Sequence, residues 1–235
     1  MLKYNPMKTK IIIAVLVLLV AGVAAFIYFL RPVAAPSINV GEEVAANTPS
    51  SPEPGALRFD VAPGGSSTAE FGLNEILRGA PKFVVGTTDQ VSGYISIPDK
   101  DTPSKVAGEI KVNTRAFKTD DEQRNRAIAR FVLKSEEPAN EFIVFKPTEA
   151  VGLPKDIPLN QEFMFRIAGN ITIIGVTKPV VFDVTATLSD NRMLTGIAET
   201  SLMYEDFGVS VPSLPFLANV EKQIKIKISF VARGS

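Results

Sequence analysis

The chain has 235 residues, of which 46% are hydrophobic, and it carries 25 basic and 25 acidic residues, so its formal net charge is zero. It contains no cysteine and no histidine. These absences exclude disulfides, thiol nucleophiles and cysteine zinc sites, and they remove the side chain that most often serves as a general acid or base and as a transition-metal ligand. The balanced charge gives no electrostatic basis for binding nucleic acid.

The N-terminal region contains an uncharged run of twenty residues from Ile11 to Leu30. A helix of that length, at about 1.5 Å per residue, spans a hydrocarbon core of roughly 30 Å, so the run predicts a single transmembrane anchor. Basic residues precede the run at Lys3, Lys8 and Lys10, and only Arg31 follows it closely. The positive-inside rule therefore predicts a short cytoplasmic segment 1–10, an anchor at 11–30 and an extracytoplasmic remainder, periplasmic or extracellular.

The alternative for this region is a signal peptide that is removed after export. The small residues of segment 33–35 suit a cleavage site, but Pro36 follows them directly. The apolar run is also longer than the ~7–15 residues that are usual in such signals. The sequence favours the anchor.

The next segment, residues 31–56, is rich in proline, alanine and serine and has few large apolar residues. This composition predicts a semi-flexible linker that holds the following domain away from the bilayer. The predicted domain then occupies residues 57–235. Its 21 basic and 22 acidic residues keep it near neutral.

Short stretches of period-two alternation recur through this domain. An antiparallel sheet with one buried face produces such alternation, so the pattern predicts an antiparallel barrel or sandwich. The alternating apolar positions are Ala69, Phe71 and Leu73; Val91, Gly93, Ile95 and Ile97; Val106, Gly108, Ile110 and Val112; Ile143 and Phe145; and Ile224, Ile226, Ile228 and Phe230.

The stretch 163–188 predicts a β-hairpin. Phe163, Phe165 and Ile167 alternate with other residues on the way in, and Val180, Phe182 and Val184 do so on the way out. Between the two runs, Gly175, Thr177 and Pro179 supply the residues of a predicted turn, because glycine permits unusual backbone angles. Pro179 donates no ladder hydrogen bond and therefore suits a strand start or an edge.

One stretch breaks the alternation and predicts a helix of about three turns. Thr119 is the predicted N-cap, with Glu122 reaching back in a capping box, and Ile128, Phe131 and Val132 fall near one face. The neighbouring carboxylates of Asp120, Asp121 and Glu122 are interpreted as capping groups, because their spacing lacks the alternating ligands of a calcium loop. Three arginines follow, and they are either headgroup contacts of a lid or an ordinary solvated face: Arg124, Arg126 and Arg130.

The segment 168–184, A-G-N-I-T-I-I-G-V-T-K-P-V-V-F-D-V, resembles the L-T-I-H-G-V-T-K/R-x-V signature of the YceI-like family. Similarity extends over roughly residues 57–233, through an opening Phe59-Asp60-Val61, the glycines around Val91–Ile95 and a D-F-G-V segment at 206–209. The sequence departs from the family at Ile174, where histidine is common, and at Asn125, where aspartate commonly follows arginine.

The resemblance implies a lipocalin-like antiparallel barrel of about eight strands with one short helix, which binds a polyisoprenoid-like lipid in its interior. The predicted protein is thus a membrane-anchored binding protein without catalysis, catalytic residues, metal or covalent cofactor. Its partners are an apolar lipid and, through residues 11–30, the cell membrane, while protein partners are not identified. The candidate interior residues are Phe71, Ile95, Ile110, Phe145, Phe163, Phe165, Phe182 and Val184.

Two other functions remain open from the sequence. A barrel of about eight strands can also fill its interior with side chains, which would make the domain a packed structural or protein-interaction module. An enzyme acting on isoprenoid lipids is the weaker alternative, because it would work without histidine or cysteine. The chain also lacks the G-x-S-x-G, G-x-x-x-x-G-K-[ST] and G-x-G-x-x-G motifs.

Overall fold

The computed structural model describes residues 6–47, 56–62, 64, 66–98, 104–211 and 217–234. The chain divides between Val33 and Ala34 into two compact units. The first unit contains helix α1 (Pro6–Leu30). Within the described part of the chain, its segment Lys10–Tyr28 is the one helix long and apolar enough to cross a membrane, a property that signal sequences share.

The second unit is built mainly from strands. Its described α-helices are α2 (Val40–Asn47) and α3 (Glu122–Ala127), and single 3-10 turns lie at Thr114–Ala116, Pro138–Asn140 and Tyr204–Phe207. Its described strands are β1 (Leu57–Val61), β2 (Thr68–Leu77), β3 (Ala80–Thr88), β4 (Val91–Ile97), β5 (Ala107–Asn113), β6 (Phe142–Val151), β7 (Glu162–Ile173), β8 (Val176–Leu188), β9 (Met193–Met203), β10 (Leu217–Ala218) and β11 (Gln223–Gly234).

Eight of these strands close into an antiparallel barrel. The ring runs β1, β4, β5, β6, β7, β8, β9 and β11, and it closes because the end of β11 pairs with β1, with Val61 opposite Ala232. The predicted barrel of about eight strands is therefore confirmed. The larger buried cluster lies inside it and includes Phe145, Phe163, Ile167, Ile171, Phe182 and Val184.

The β2–β3 hairpin branches away from this ring. The first part of β11 pairs with β2, from Lys225 opposite Gly72 to Ser229 opposite Thr68, whereas its last residues pair with β1. Strand β3 pairs with β2. Its residue Thr87 also forms an isolated antiparallel β-bridge with Lys118. This divergence places the hairpin beside the segment that contains α3.

The predicted hairpin at 163–188 is confirmed, with β7 and β8 in register from Glu162 opposite Thr187 to Ile173 opposite Val176. Its turn is shorter than predicted. Ile174 and Gly175 form the two-residue turn with φ of 41° and 78°, which is the conformation that tight hairpin turns require. Thr177 lies in β8 instead, because the tight turn lets pairing resume at Val176, and Pro179 lies near the start of the same strand.

The predicted N-cap at Thr119 is wrong. The cap is Asp121, whose carboxylate accepts a hydrogen bond of 2.8 Å from the backbone N–H of Arg124. Thr119 instead donates both its N–H and its hydroxyl to Oδ1 of Asn125, each over 2.7 Å. The helix begins two residues later because these bonds hold Thr119 in the loop.

After α3 the chain continues as a π-helix, Ile128–Val132, in which the N–H of Leu133 donates to the carbonyl of Ile128 over 2.8 Å. A π-turn contains an extra residue relative to an α-turn, so the side chains shift around the helix axis. Ile128 and Val132 contribute to the barrel interior, but Phe131 is 43% exposed. The predicted apolar face is wrong for Phe131.

The predicted linker also differs from the structure, over residues 34–47. Helix α2 packs on the outside of β4 and β5, with Val40 fully buried and Val44 nearly so, and Glu43 lies 2.8 Å from Nζ of Lys111. Two valines one helical turn apart form an apolar stripe that the average composition of the segment conceals. Residues 48–55 lie outside the described part, and the boundary at residue 57 stays a prediction.

A buried carboxylate holds this arm, defined as residues 34–47, against the barrel. Glu141 is 2% exposed, and it accepts hydrogen bonds from the N–H and hydroxyl of Ser37 over 2.7 and 2.6 Å. Asn113 donates a third bond over 3.0 Å, and a guanidinium nitrogen of Arg115 lies 2.8 Å away. Charge-assisted hydrogen bonds therefore stabilise the packing of the arm on the barrel, in addition to the burial of its apolar side chains.

Candidate functional site

The barrel encloses a cavity of about 280 Å³. A single water requires only ~10–15 Å³, so the cavity has room for a ligand of many atoms. Its wall is formed almost entirely by apolar side chains from the barrel strands, the β2–β3 hairpin and the π-helix. Apolar cavities are poor sites for water, because water needs several polar partners, and they bind apolar molecules instead.

All eight candidate interior residues line this cavity: Phe71, Ile95, Ile110, Phe145, Phe163, Phe165, Phe182 and Val184. They come from six strands and converge because alternate residues of each strand face inward. Phe145 and Phe182 meet edge to face with ring centroids 5.1 Å apart, and Phe163 stacks on Phe165 at 5.8 Å. Their contact with a ligand stays a prediction.

The three candidate arginines separate in the structure. Arg124 contributes to the cavity wall, whereas Arg126 and Arg130 lie outside the lining that the described residues form. The side chain of Arg130 is 1% exposed and its Nε donates to Glu136 over 2.9 Å. Of the three, Arg124 is the one placed to meet a ligand in the cavity.

Arg124 belongs to an ion network that joins α3 to the β2–β3 hairpin. One guanidinium nitrogen donates to Glu75 over 3.1 Å, and the other donates to Asp120 over 2.6 Å. Lys82 donates to the second oxygen of Asp120 over 2.7 Å. We call these four residues, Lys82, Asp120, Arg124 and Glu75, the seam network, because they bridge the hairpin and the helix.

Burial differs along the seam network. Asp120 lies at its exposed end, and the hydrogen bond from Lys82, with the charges of Lys82 and Arg124, lowers the pKa of its carboxyl below the ordinary value. Glu75 lies at the buried end, 7% exposed, and lines the cavity. The network thus runs from the surface of the domain to the cavity wall.

Glu75 and several apolar wall residues were not predicted as site residues. Glu75 follows Phe71 and Leu73 at the same period-two positions of β2, so strand alternation already puts it on the inner face. The alternation in β11 similarly indicates Ile224, Ile226 and Ile228, which also line the cavity. In both strands, the period-two spacing of the sequence already assigned these residues to the inner face.

The described residues contain no group of three or more aspartates and glutamates arranged to hold a metal ion. The polar side chains of the wall are few, and they include the phenol of Tyr204, whose pKa is raised by burial. The site is therefore built for apolar burial with a small polar region.

A closed eight-stranded antiparallel barrel around an apolar cavity defines a lipocalin-like barrel. Residues 60–232 match the family model described as the YceI-like domain. Since this match covers well over half of the chain, the chain belongs to the YceI-like family. No curated protein matches it in sequence.

Solved structures share the fold at low sequence identity. A polyisoprenoid binding domain from Saccharophagus degradans, implicated in plant cell wall breakdown, is 8% identical with a TM-score of 0.58, covering 76% of this chain and 98% of that one. BcnA of Burkholderia cenocepacia is 14% identical with a TM-score of 0.53, covering 70% of this chain and 95% of that one. At these identities the likeness establishes the fold alone.

Proposed function

We propose that this protein is a membrane-anchored, extracytoplasmic lipid-binding protein that holds a long, polyisoprenoid-like chain in its barrel without catalysis. The observation that carries the proposal is the cavity of about 280 Å³ with an almost wholly apolar wall. Burial of apolar surface supplies roughly 25 cal/mol per Å², so a hydrocarbon chain is the ligand class that this wall stabilises best. The polyisoprenoid binding domain among the similar folds supports the same ligand class.

The packed structural module is the weaker alternative. A barrel that works only as a scaffold gains stability by filling its interior, since each unfilled volume removes dispersion contacts from the residues around it. The cavity therefore favours a ligand-holding role over a solid core.

The membrane part of the proposal rests on helix α1. Its segment Lys10–Tyr28 has a mean hydropathy of 3.0 and no buried residues, as expected for a helix surrounded by lipid. The lysines at positions 3, 8 and 10 favour a cytoplasmic N-terminus, which leaves the barrel on the other side of the membrane.

Bound lipid is the direct test of the function. We expect organic extracts of the full chain, purified from its host in mild detergent, to contain an isoprenoid or similar chain by mass spectrometry. Removal of this lipid should lower the melting temperature. Adding it back at a hundred times its dissociation constant should restore about 2.7 kcal/mol, provided that the unfolded state does not bind it. Extracts without an apolar chain, together with no stabilisation by any polyprenyl compound, would contradict the function.

Protease accessibility tests the topology. Protease added outside the cytoplasmic membrane of intact cells should release a fragment of about the size of the barrel domain, detected by immunoblotting. A cytoplasmic protein followed in the same cells should stay intact. Complete protection of the barrel until the membrane is broken would overturn the extracytoplasmic placement but not the lipid binding.

A further inference from the structure

The polar side chains of the cavity wall restrict which polar group a bound lipid can have at its end. Among the described residues, three charged ones contribute to the wall: Glu70, Glu75 and Arg124. Glu70 lies directly opposite Lys227 in the strand register and pairs with it at 3.6 Å. The Glu70 side chain is 32% exposed, whereas those of Arg124 and Glu75 are 16% and 7% exposed, so the buried charges of the wall are those of Glu75 and Arg124.

These two charges are already balanced. The seam network contains two cations, Lys82 and Arg124, and two anions, Asp120 and Glu75, so its formal charge is zero. Both terminal nitrogens of Arg124 are engaged by carboxylates. The side chains of Arg124 and Glu75 are only 16% and 7% exposed, so solvent screens their interaction weakly.

An anionic ligand would disturb this balance. A phosphate that took Arg124 as its counter-charge would compete with Glu75, and a displaced Glu75 carboxylate would remain in a buried site without its cation. Breaking a buried ion pair in this way is strongly unfavourable, because an uncompensated charge is left in a low-dielectric environment. A phosphate that left the pair intact would itself lack a counter-charge in the wall.

An uncharged ligand oxygen can bind without removing the counter-charge of Glu75. A guanidinium has five N–H donors, and the bonds to Asp120 and Glu75 leave others for a hydroxyl or carbonyl oxygen. Tyr204 offers a second neutral partner at the same end of the barrel. Tyr204 directly follows Met203, which pairs with Gln223 at the end of β9. Two residues before Gln223, the N–H of Glu221 donates to the carbonyl of Asn74, the residue that precedes Glu75, so Tyr204 and Glu75 lie at the same end of the barrel.

We infer that the cavity selects a lipid whose polar end is uncharged, such as an alcohol or a carbonyl compound, and that Glu75 rejects chains ending in phosphate or carboxylate. This inference rests on the proposed function, since it specifies the ligand of the same cavity. In this view Glu75 is a specificity-determining residue. Its carboxylate neutralises Arg124 and so prevents that guanidinium from binding an anion.

The test compares a polyprenol with its monophosphate at equal chain length, using the full chain in detergent and measuring dissociation constants by native mass spectrometry. The wild type should bind the polyprenol at least about tenfold more tightly. The near-isosteric Glu75→Gln should tighten binding of the monophosphate at least about tenfold and change polyprenol binding little. Glu199→Gln is the matched control, because it removes one negative charge from an exposed position of β9 that lies outside both the cavity lining and the seam network, and it should leave the ratio unchanged.

The outcomes separate the two proposals. Binding of neither compound would overturn the proposed function and with it this inference. Equal or tighter binding of the monophosphate by the wild type would overturn the inference while leaving lipid binding in place. A preference for polyprenol that Glu75→Gln does not alter, with the melting temperature of the variant near that of the wild type, would overturn the role of Glu75.

Discussion

Replacing Phe182 by aspartate is expected to lower the free energy of unfolding by at least about 3 kcal/mol and to abolish retention of lipid. Phe182 is 4% exposed, lines the cavity and packs edge to face on Phe145. The substitution removes a buried aromatic ring and introduces a carboxyl group into an apolar wall. Such a group either destabilises the fold or takes up a proton because its pKa rises, and a polar group replaces apolar contact with the ligand in both cases.

Val181→Asp is the matched control for this prediction. Val181 is the preceding residue of the same strand, but it faces outward and is 48% exposed. The control therefore adds the same charge at nearly the same place and should keep both the stability and the lipid. Chemical denaturation gives the stability, and mass spectrometry of extracts gives the lipid content.

A third variant covers the case in which Phe182→Asp does not fold. Phe182→Leu keeps an apolar side chain in the wall, so it should fold and retain lipid at a modest cost in stability. If Phe182→Asp were as stable as Val181→Asp and still carried lipid, the assignment of Phe182 to the ligand cavity would be wrong.

Replacing Glu141 by alanine is expected to cost about 3–5 kcal/mol, because it leaves the buried guanidinium of Arg115 without its carboxylate. The substitution also removes the acceptor for both donors of Ser37, so the arm of residues 34–47 should loosen. Thermal or chemical unfolding measures the loss, and hydrogen exchange should show faster exchange at the N–H of Ser37.

The acid stability of the protein should depend on the same residue. Burial alone would raise the pKa of Glu141, but the hydrogen bonds from Ser37 and Asn113 and the charge of Arg115 outweigh it and hold the pKa below the ordinary value of 4.5. A carboxyl group with a lowered pKa stabilises the fold fully above its unfolded pKa, and this contribution disappears as the pH falls through the folded pKa. Glu141→Gln does not titrate, so its stability should decline less steeply in acid.

Glu205→Ala is the control for both measurements. Glu205 pairs with Lys222 at 2.9 Å, but both side chains are well exposed, so the loss of this pair should change stability little. Equal effects of Glu141→Ala and Glu205→Ala would contradict the view that buried contacts of Glu141 fasten the arm.

The sequence by itself determined which residues face the barrel interior. In β7 and β8 the side-chain period is two, so Phe163, Phe165, Phe182 and Val184 could be assigned to one face without knowledge of their partners. The assignment is robust because a shift of one residue would expose the whole apolar set to water. The resemblance to the YceI-like family then added the closed barrel, which alternation alone did not distinguish from a sandwich.

Features that depend on contacts distant in sequence were decided only by the tertiary structure. The arm lies on the barrel because Ser37 meets Glu141, 104 residues away, and no local pattern encodes that meeting. The cap moved from Thr119 to Asp121 because a side chain six residues further on, that of Asn125, engages Thr119.

The presence of the cavity and the polar residues of its wall were also decided only by the tertiary structure. Whether eight inward-facing strands leave a space depends on how their side chains fill the ring together, which is a property of volumes and not of spacing. Likewise, Arg124 and Arg130 are equally charged in the sequence, yet Glu75 draws the first into the cavity wall while Glu136 holds the second outside it. The pairing of a charge is decided by which strand or turn lies beside it, and that neighbour is known only once the chain has folded.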